Sequence, residues 1–141
     1  MTDFSSYIEE HKELYQKLEK FLKEFTSLKN KQDDDFLFEI SEQFYSYIEK
    51  LLREHFLEEE QELFPNIQEQ VEPAMLKRII GDHQEIKDKF ESLKKNLEDY
   101  KLNRELDYKT QVLFPSYNLI ATINHHAQRE DREIFKLSLV D

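Results

Sequence analysis

The sequence predicts an all-α protein, an antiparallel up-down-up-down four-helix bundle forming one domain over residues 1–141, and three observations carry that expectation. One Gly and three Pro in the whole chain leave little material for hairpins and tight turns. Lys and Glu are abundant and β-branched residues sparse, which favours helix. Apolar residues recur at i, i+3, i+4 and i+7 through four separate stretches, the rhythm of helices that each bury one stripe. The length is sufficient for a core, and eleven Phe with seven Tyr supply large side chains to fill it.

Each element can be justified in turn. Thr2 to Ser6 offers N-cap candidates, with Glu9 and Glu10 soon after, and the stripe Phe4, Tyr7, His11, Leu14, Leu18, Phe21 and Phe25 marks the first helix. The polar run Asn30 to Asp35 breaks it and ends in residues suited to a new N-cap. A second helix runs from about Phe36 through Ile40, Phe44, Ile48, Leu52, His55 and Glu59 toward Pro65, with a short connection over 65–72. Pro73 suits the first turn of a third helix carrying Leu76, Ile79, Ile80, His83, Ile86, Phe90, Leu93 and Leu97. The pattern lapses around Lys101 to Asp107. A fourth helix follows through Leu113, Leu119, Ile123, His126, Glu130, Ile134, Phe135 and Leu137, and Pro115 should kink it or delay its onset.

Charge and composition exclude several classes of function. A formal net charge of −11 with dispersed Lys and Arg argues against a nucleic-acid partner. No apolar run approaches the roughly 20 residues that span a membrane. The opening Met-Thr-Asp-Phe-Ser-Ser has neither a basic region nor an apolar run of a secretory signal, and cytoplasmic residence is the expectation. The lack of Cys removes disulfides, thiolate metal sites and cysteine nucleophiles together.

The chemistry concentrates in one phrase that occurs twice. His55 and Glu59, four residues apart on a helix, share a face and can grip one cation. Glu62, Leu63 and Phe64 follow them. His126, Glu130, Glu133, Ile134 and Phe135 stand at the same offsets near the end of the chain. A second correspondence joins Glu10-His11-Lys12-Glu13-Leu14 to Asp82-His83-Gln84-Glu85-Ile86, 72 positions later, while His55 and His126 are 71 apart. The first hairpin therefore reads as a degenerate copy of the second, with a pseudo-twofold bundle as the result. In an antiparallel bundle the starts of helices 1 and 3 and the ends of helices 2 and 4 lie together, which brings His11, His55, His83 and His126 to one level. The residue three before each is apolar (Ile8, Leu52, Ile80, Ile123), which places every one of these histidines on a buried stripe.

Six candidate metal ligands result: His11, His55, Glu59, His83, His126 and Glu130. With Glu59 and Glu130 able to bridge, they suit two ions about 3.5–4 Å apart. Imidazole and carboxylate without thiolate suit iron, and manganese or zinc would also fit. His55 and His126 should bind through one ring nitrogen and donate the other N–H to an outer acceptor. Tyr15, Glu62 and Glu133 are the candidates around the ligands. His125 is expected to point outward, with His125 paired to Glu130, or His126 to Asp131, as the rival spacing.

These residues, with Phe64-Pro65 after the second-helix pair, resemble the hemerythrin-like (HHE cation-binding) family over nearly the whole chain. The resemblance implies a non-haem di-iron centre with an oxygen-derived (oxo or hydroxo) bridge and carboxylate bridges. Oxygen-carrying members resemble HxxxH in helix 3 and HxxxxD in helix 4. Here Lys87 follows His83 at i+4, and Glu130 is the better-spaced acid. The remaining four-His, two-Glu pattern is similar to members that repair iron–sulfur clusters, respond to nitric oxide or handle peroxide, although the cysteine-bearing segment of the repair proteins is absent. Two uses follow. One is a module that binds or senses O2, NO or iron without turnover, which is favoured. The other is a di-iron oxidoreductase that decomposes peroxide or reduces NO with a redox partner. A single structural zinc is a third reading. A ferritin-like ferroxidase is disfavoured because Glu-x-x-His needs Glu three before the His.

Overall fold

A computed structural model describes residues 4–136, and among them every regular element is helical. Four rods account for the described residues. The first is α1, Ser5–Thr26. The second starts as α2, Asp34–Lys50, continues through two π-helical stretches, Leu51–Phe56 and Glu59–Leu63, and finishes as α3, Phe64–Ile67. The third is α4, Pro73–Leu102. The fourth opens with a π-helical stretch, Lys109–Leu113, and becomes α5, Phe114–Glu133. No helix among the described residues is long and apolar enough to cross a membrane.

Local chemistry explains most boundaries. Asp33 caps α2, its carboxylate accepting the Phe36 N–H at 3.1 Å, and Asp34 and Asp35 follow in the first turn. Pro73 begins α4, where its missing N–H costs nothing. Asp107 accepts from the Lys109 N–H at 3.2 Å and from the Thr110 hydroxyl at 2.9 Å, starting the fourth rod. Two boundaries differ from expectation. The first helix begins after Phe4 with Ser5 and Ser6 already inside it and no side-chain cap from Phe4, while Thr2 and Asp3 lie outside the described residues. The fourth ends at Glu133, and Ile134 and Phe135 pack as a buried cap beyond it; Leu137 is outside the described residues.

Pro115 does not delay the fourth rod, which is already helical from Tyr108 and meets the proline just after a wide turn. Phe64-Pro65 and Phe114-Pro115 each follow directly on the leucine that ends a π-helical stretch. Proline has no N–H for the i→i−4 ladder and its ring crowds that carbonyl; a switch to i→i+5 bonding absorbs both defects without breaking the rod.

Two apolar cores hold the rods together. The longer one runs from Leu14, Leu18, Phe21 and Phe25 through Phe44, Ile48, Phe90, Leu97 and Ile120. The smaller closes the opposite end with Phe4, Tyr7, Leu63, Phe64, Ile67, Ile79, Ile134 and Phe135. At the far end of the longer core the Tyr100 hydroxyl donates to Asp34 at 2.7 Å and Arg104 pairs with the same carboxylate at 2.9 Å, joining the end of α4 to the start of α2. Tyr108 donates to the Leu28 carbonyl at 2.7 Å, joining the start of the fourth rod to the end of the first.

Candidate metal centre

Between the two apolar cores lies a polar layer. The buried polar or charged residues among those described are His11, His55, Glu59, His83, His126, Glu130 and two serines, Ser41 and Ser116. The six anticipated ligands are thus brought together, two of them, Glu59 and Glu130, at 0% exposure. Their Nε2 and carboxylate atoms fall into two groups, His11–His55–Glu59–Glu130 and Glu59–His83–His126–Glu130, with the donor atoms of each group within 4.8 Å of one another.

The two carboxylates tie the groups together. Glu59 lies 3.3 Å from His55 Nε2 on its own rod and 3.0 Å from His83 Nε2 on α4. Glu130 lies 3.2 Å from His126 Nε2 on its own helix and 3.2 Å from His11 Nε2 on α1. Each glutamate therefore reaches one histidine of each group. Several of these contacts are close without being hydrogen bonds: His11 Nε2, His55 Nε2, Glu59 Oε2 and both Glu130 oxygens have no hydrogen-bond partner. A buried polar atom left without a partner is costly. Five of them converging in one layer is the condition that a bound cation would relieve, and the donor set fits one.

Three of the imidazoles are oriented from behind by acids, and a fourth acid stands near the remaining ring, whose Nδ1 has no hydrogen-bond partner. His11 Nδ1 donates to Asp131 at 2.8 Å and His126 Nδ1 to Asp82 at 3.1 Å. His55 Nδ1 donates to Glu10. Glu60 stands 3.4 Å from His83 Nδ1, in ion-pair contact. An ionised carboxylate can only accept, so each bonded Nδ1 carries a hydrogen and Nε2 is the nitrogen turned toward the layer. Three of the acids are held in turn: Asp131 by the Tyr15 hydroxyl, Asp82 by Arg129, and Glu60 by Lys87 at 3.6 Å. Aromatic rings form the walls. Phe56 stacks on His83 with centroids 4.0 Å apart and planes 7° apart, and Phe135 meets His11 edge-on at 5.0 Å.

Proton affinities follow from this geometry. Burial alone would lower the His11 pKa, but Asp131 and Glu130 outweigh it and raise it to about 9. His126 is raised well above the ordinary value by Glu130, Asp82 and Glu59 against the same opposition from burial, and His55 is raised by Glu59. Burial pushes Glu59 up, yet the imidazoles of His126, His55 and His83 around it hold it well below the usual carboxylate range. Burial and the Asp131 carboxylate both raise Tyr15, which keeps its proton as a donor.

Some anticipated placements differ. Glu62 is exposed and Glu133 contacts Arg132 and Lys136; neither reaches an imidazole. Seven residues beyond a histidine is about 10 Å along a helix, too far to reach back to its ring. Tyr15, by contrast, meets the His11 ring edge-on with centroids 6.1 Å apart and donates to Asp131 behind it. His125 is exposed, and Asp131 pairs with His11 while Glu130 faces His126, so the rival spacing is not adopted. Ile80 is 42% exposed while Ile79 is at 0%, so the buried stripe of α4 lies one residue from where the i−3 test put it. The four outer acids were missed, although each adjoins a candidate ligand: Glu10 and Asp82 precede His11 and His83, and Glu60 and Asp131 follow Glu59 and Glu130.

A helical protein with a buried layer of imidazoles and carboxylates, built as two groups around shared glutamates, belongs to the class of cation-binding helical proteins. The chain matches the sequence model of the hemerythrin HHE cation-binding domain over residues 3–138, and it belongs to that family. No curated protein and no solved structure matches it.

Proposed function

We propose that the buried layer is a non-haem di-iron centre that binds or senses a small ligand, O2, NO or iron itself, without turnover. His11 and His55 would hold one ion, His83 and His126 the other, and Glu59 and Glu130 would span both. The observation that carries this reading is the sharing of both glutamates between two four-residue groups. Iron would supply a redox-active centre open to a diatomic ligand; the chain's own part is to orient four Nε2 atoms, exclude water between two apolar cores and hold protons on the outer nitrogens. The contacts at the end of the bundle remote from the polar layer, Tyr100 with Asp34 and Tyr108 with Leu28, also support the antiparallel up-down-up-down arrangement, and the 71- and 72-residue offsets support a pseudo-twofold relation between its hairpins.

Metal analysis of protein purified from iron-supplemented cells, paired with its visible spectrum, tests the proposal. The expected result is about two irons per chain, as for two-metal sites, with charge-transfer bands that shift on adding NO or peroxide and return when it is removed. One zinc, or colourless folded protein without metal, would overturn it. Rapid multiple turnover of peroxide would replace the binding reading with the oxidoreductase one.

A further inference from the structure

The four quadrants of the centre are not equally closed. Asp131 and Asp82 each bond an imidazole and are each held by a second side chain, Tyr15 and Arg129, while Glu60, 3.4 Å from the unbonded His83 Nδ1, pairs with Lys87 at 3.6 Å. Glu10 backs His55 and has no such partner among the described residues. The position that corresponds to Arg129, 71 residues earlier, is Glu58, which lines the same cleft as Glu10 and offers it no cationic anchor. Glu10 is also the most exposed of the four acids, at 44%, and His55 is the most exposed of the six candidate ligands, at 7%.

A cleft of about 400 Å³ opens at this quadrant, and His55 forms part of its wall. Glu10, Glu13, Glu54 and Glu58 line it together with Lys17 and Lys50, so its charge is net negative. His55, more than nine-tenths buried, meets Glu10 of the cleft wall through Nδ1 and turns its Nε2, which has no hydrogen-bond partner, toward Glu59 in the centre, so its ring lies between the two. The same negative corner reaches Tyr7, whose pKa is raised to about 12 by burial and by Glu58, Glu62, Glu59 and Glu10.

We propose that divalent cations enter and leave the centre through this cleft, with Glu10 releasing His55 as the gate. The proposal rests on the metal reading above. A negative cleft concentrates cations and speeds their arrival in a salt-dependent way. A carboxylate bonded only to the imidazole behind which the ion passes can swing into solvent, where Asp131 and Asp82, each hydrogen-bonded to a second side chain, cannot. Glu10 takes up a hydrated ion on the outside and re-forms its bond to His55 Nδ1 once the ion is seated.

The test is uptake of Co2+ by metal-free protein, followed by stopped-flow visible absorption over a range of ionic strength, and its release to a chelator. The double variant Glu13→Gln with Glu58→Gln touches none of the six candidate ligands. It should load about fivefold more slowly at low salt, on the scale of electrostatic steering, with a flatter salt dependence and an unchanged final stoichiometry. A charge-matched control, Glu91→Gln with Glu98→Gln in another cleft, should load as the wild type does. Glu58→Arg, which gives Glu10 the clamp that Asp82 has, should slow both loading and release. Cleft variants that load like the control, or Glu58→Arg protein that releases at the wild-type rate, would overturn the route. Wild-type protein that takes up no Co2+ at all would instead overturn the metal reading beneath it.

Discussion

At the scale of single residues, the centre is set by how each imidazole is held from behind. The pairing crosses between rods: Glu10 on α1 serves His55, Asp82 on α4 serves His126, and Asp131 on α5 serves His11. Such acceptors fix the tautomer and raise the basicity of the inner nitrogen, so Asp82→Asn is expected to weaken metal affinity by about 10- to 100-fold. Glu62→Gln and Glu133→Gln should leave it unchanged, as competition with a chromophoric chelator will measure. The protons themselves give a second prediction. The His11 pKa of about 9 in the folded chain lies above its ordinary 6.5. The stabilisation this represents in metal-free protein is fully present below 6.5 and is lost as pH rises through 9. A cation must displace that proton, so apparent metal affinity should climb across the same window, with proton release that falls toward its upper edge. Indicator-dye titrations at several pH values will show both.

At the scale of elements, helix ends and the one glycine are where small changes in sequence should be felt. Asp33→Ala removes the side-chain cap of α2 and is expected to cost about 1 kcal/mol in urea unfolding. Gly81 lies inside α4 with ordinary helical backbone, and a Cβ built there meets nothing within 4 Å. Gly81→Ala should therefore stabilise the protein by about 0.5–1 kcal/mol, the helix-propensity difference, in the same experiment. The π-helical stretches have a clearer cause than function. Two of them abut Leu-Phe-Pro, where proline breaks the regular ladder. The remaining stretch, Leu51–Phe56, contains His55, and the wider turn still leaves His55 Nε2 3.3 Å from Glu59.

At the scale of the whole molecule, a polar layer between two apolar cores is a stability problem that a ligand resolves. Glu59 and Glu130 are sealed from solvent with three oxygen atoms lacking hydrogen bonds. Metal-free protein should remain folded on its two cores and unfold at lower temperature than loaded protein. A cation present at about 1,000 times its dissociation constant would add about 4 kcal/mol. Calorimetry before and after chelation measures the difference, and equal transitions would mean that the layer is satisfied without metal.

The helices and the composition of the layer were legible from sequence because both follow from local rules. A 3.6-residue period marks the rods, and His11, His55, His83 and His126 meet because alternating rods bring their positions to one level. Proline at 73 and aspartates at 33 to 35 announced two starts. What the tertiary structure alone decided is everything that depends on the distance and rotation between rods. Glu10, Glu60, Asp82 and Asp131 look like surface acids until a neighbouring rod turns an imidazole toward them. Glu62 and Glu133 look placed to help until the rise along the axis carries them past the layer. Sequence by itself determined which side chains share a level; packing determined which atoms touch, because a rotation of one residue about a rod, as between Ile79 and Ile80, separates a buried side chain from an exposed one.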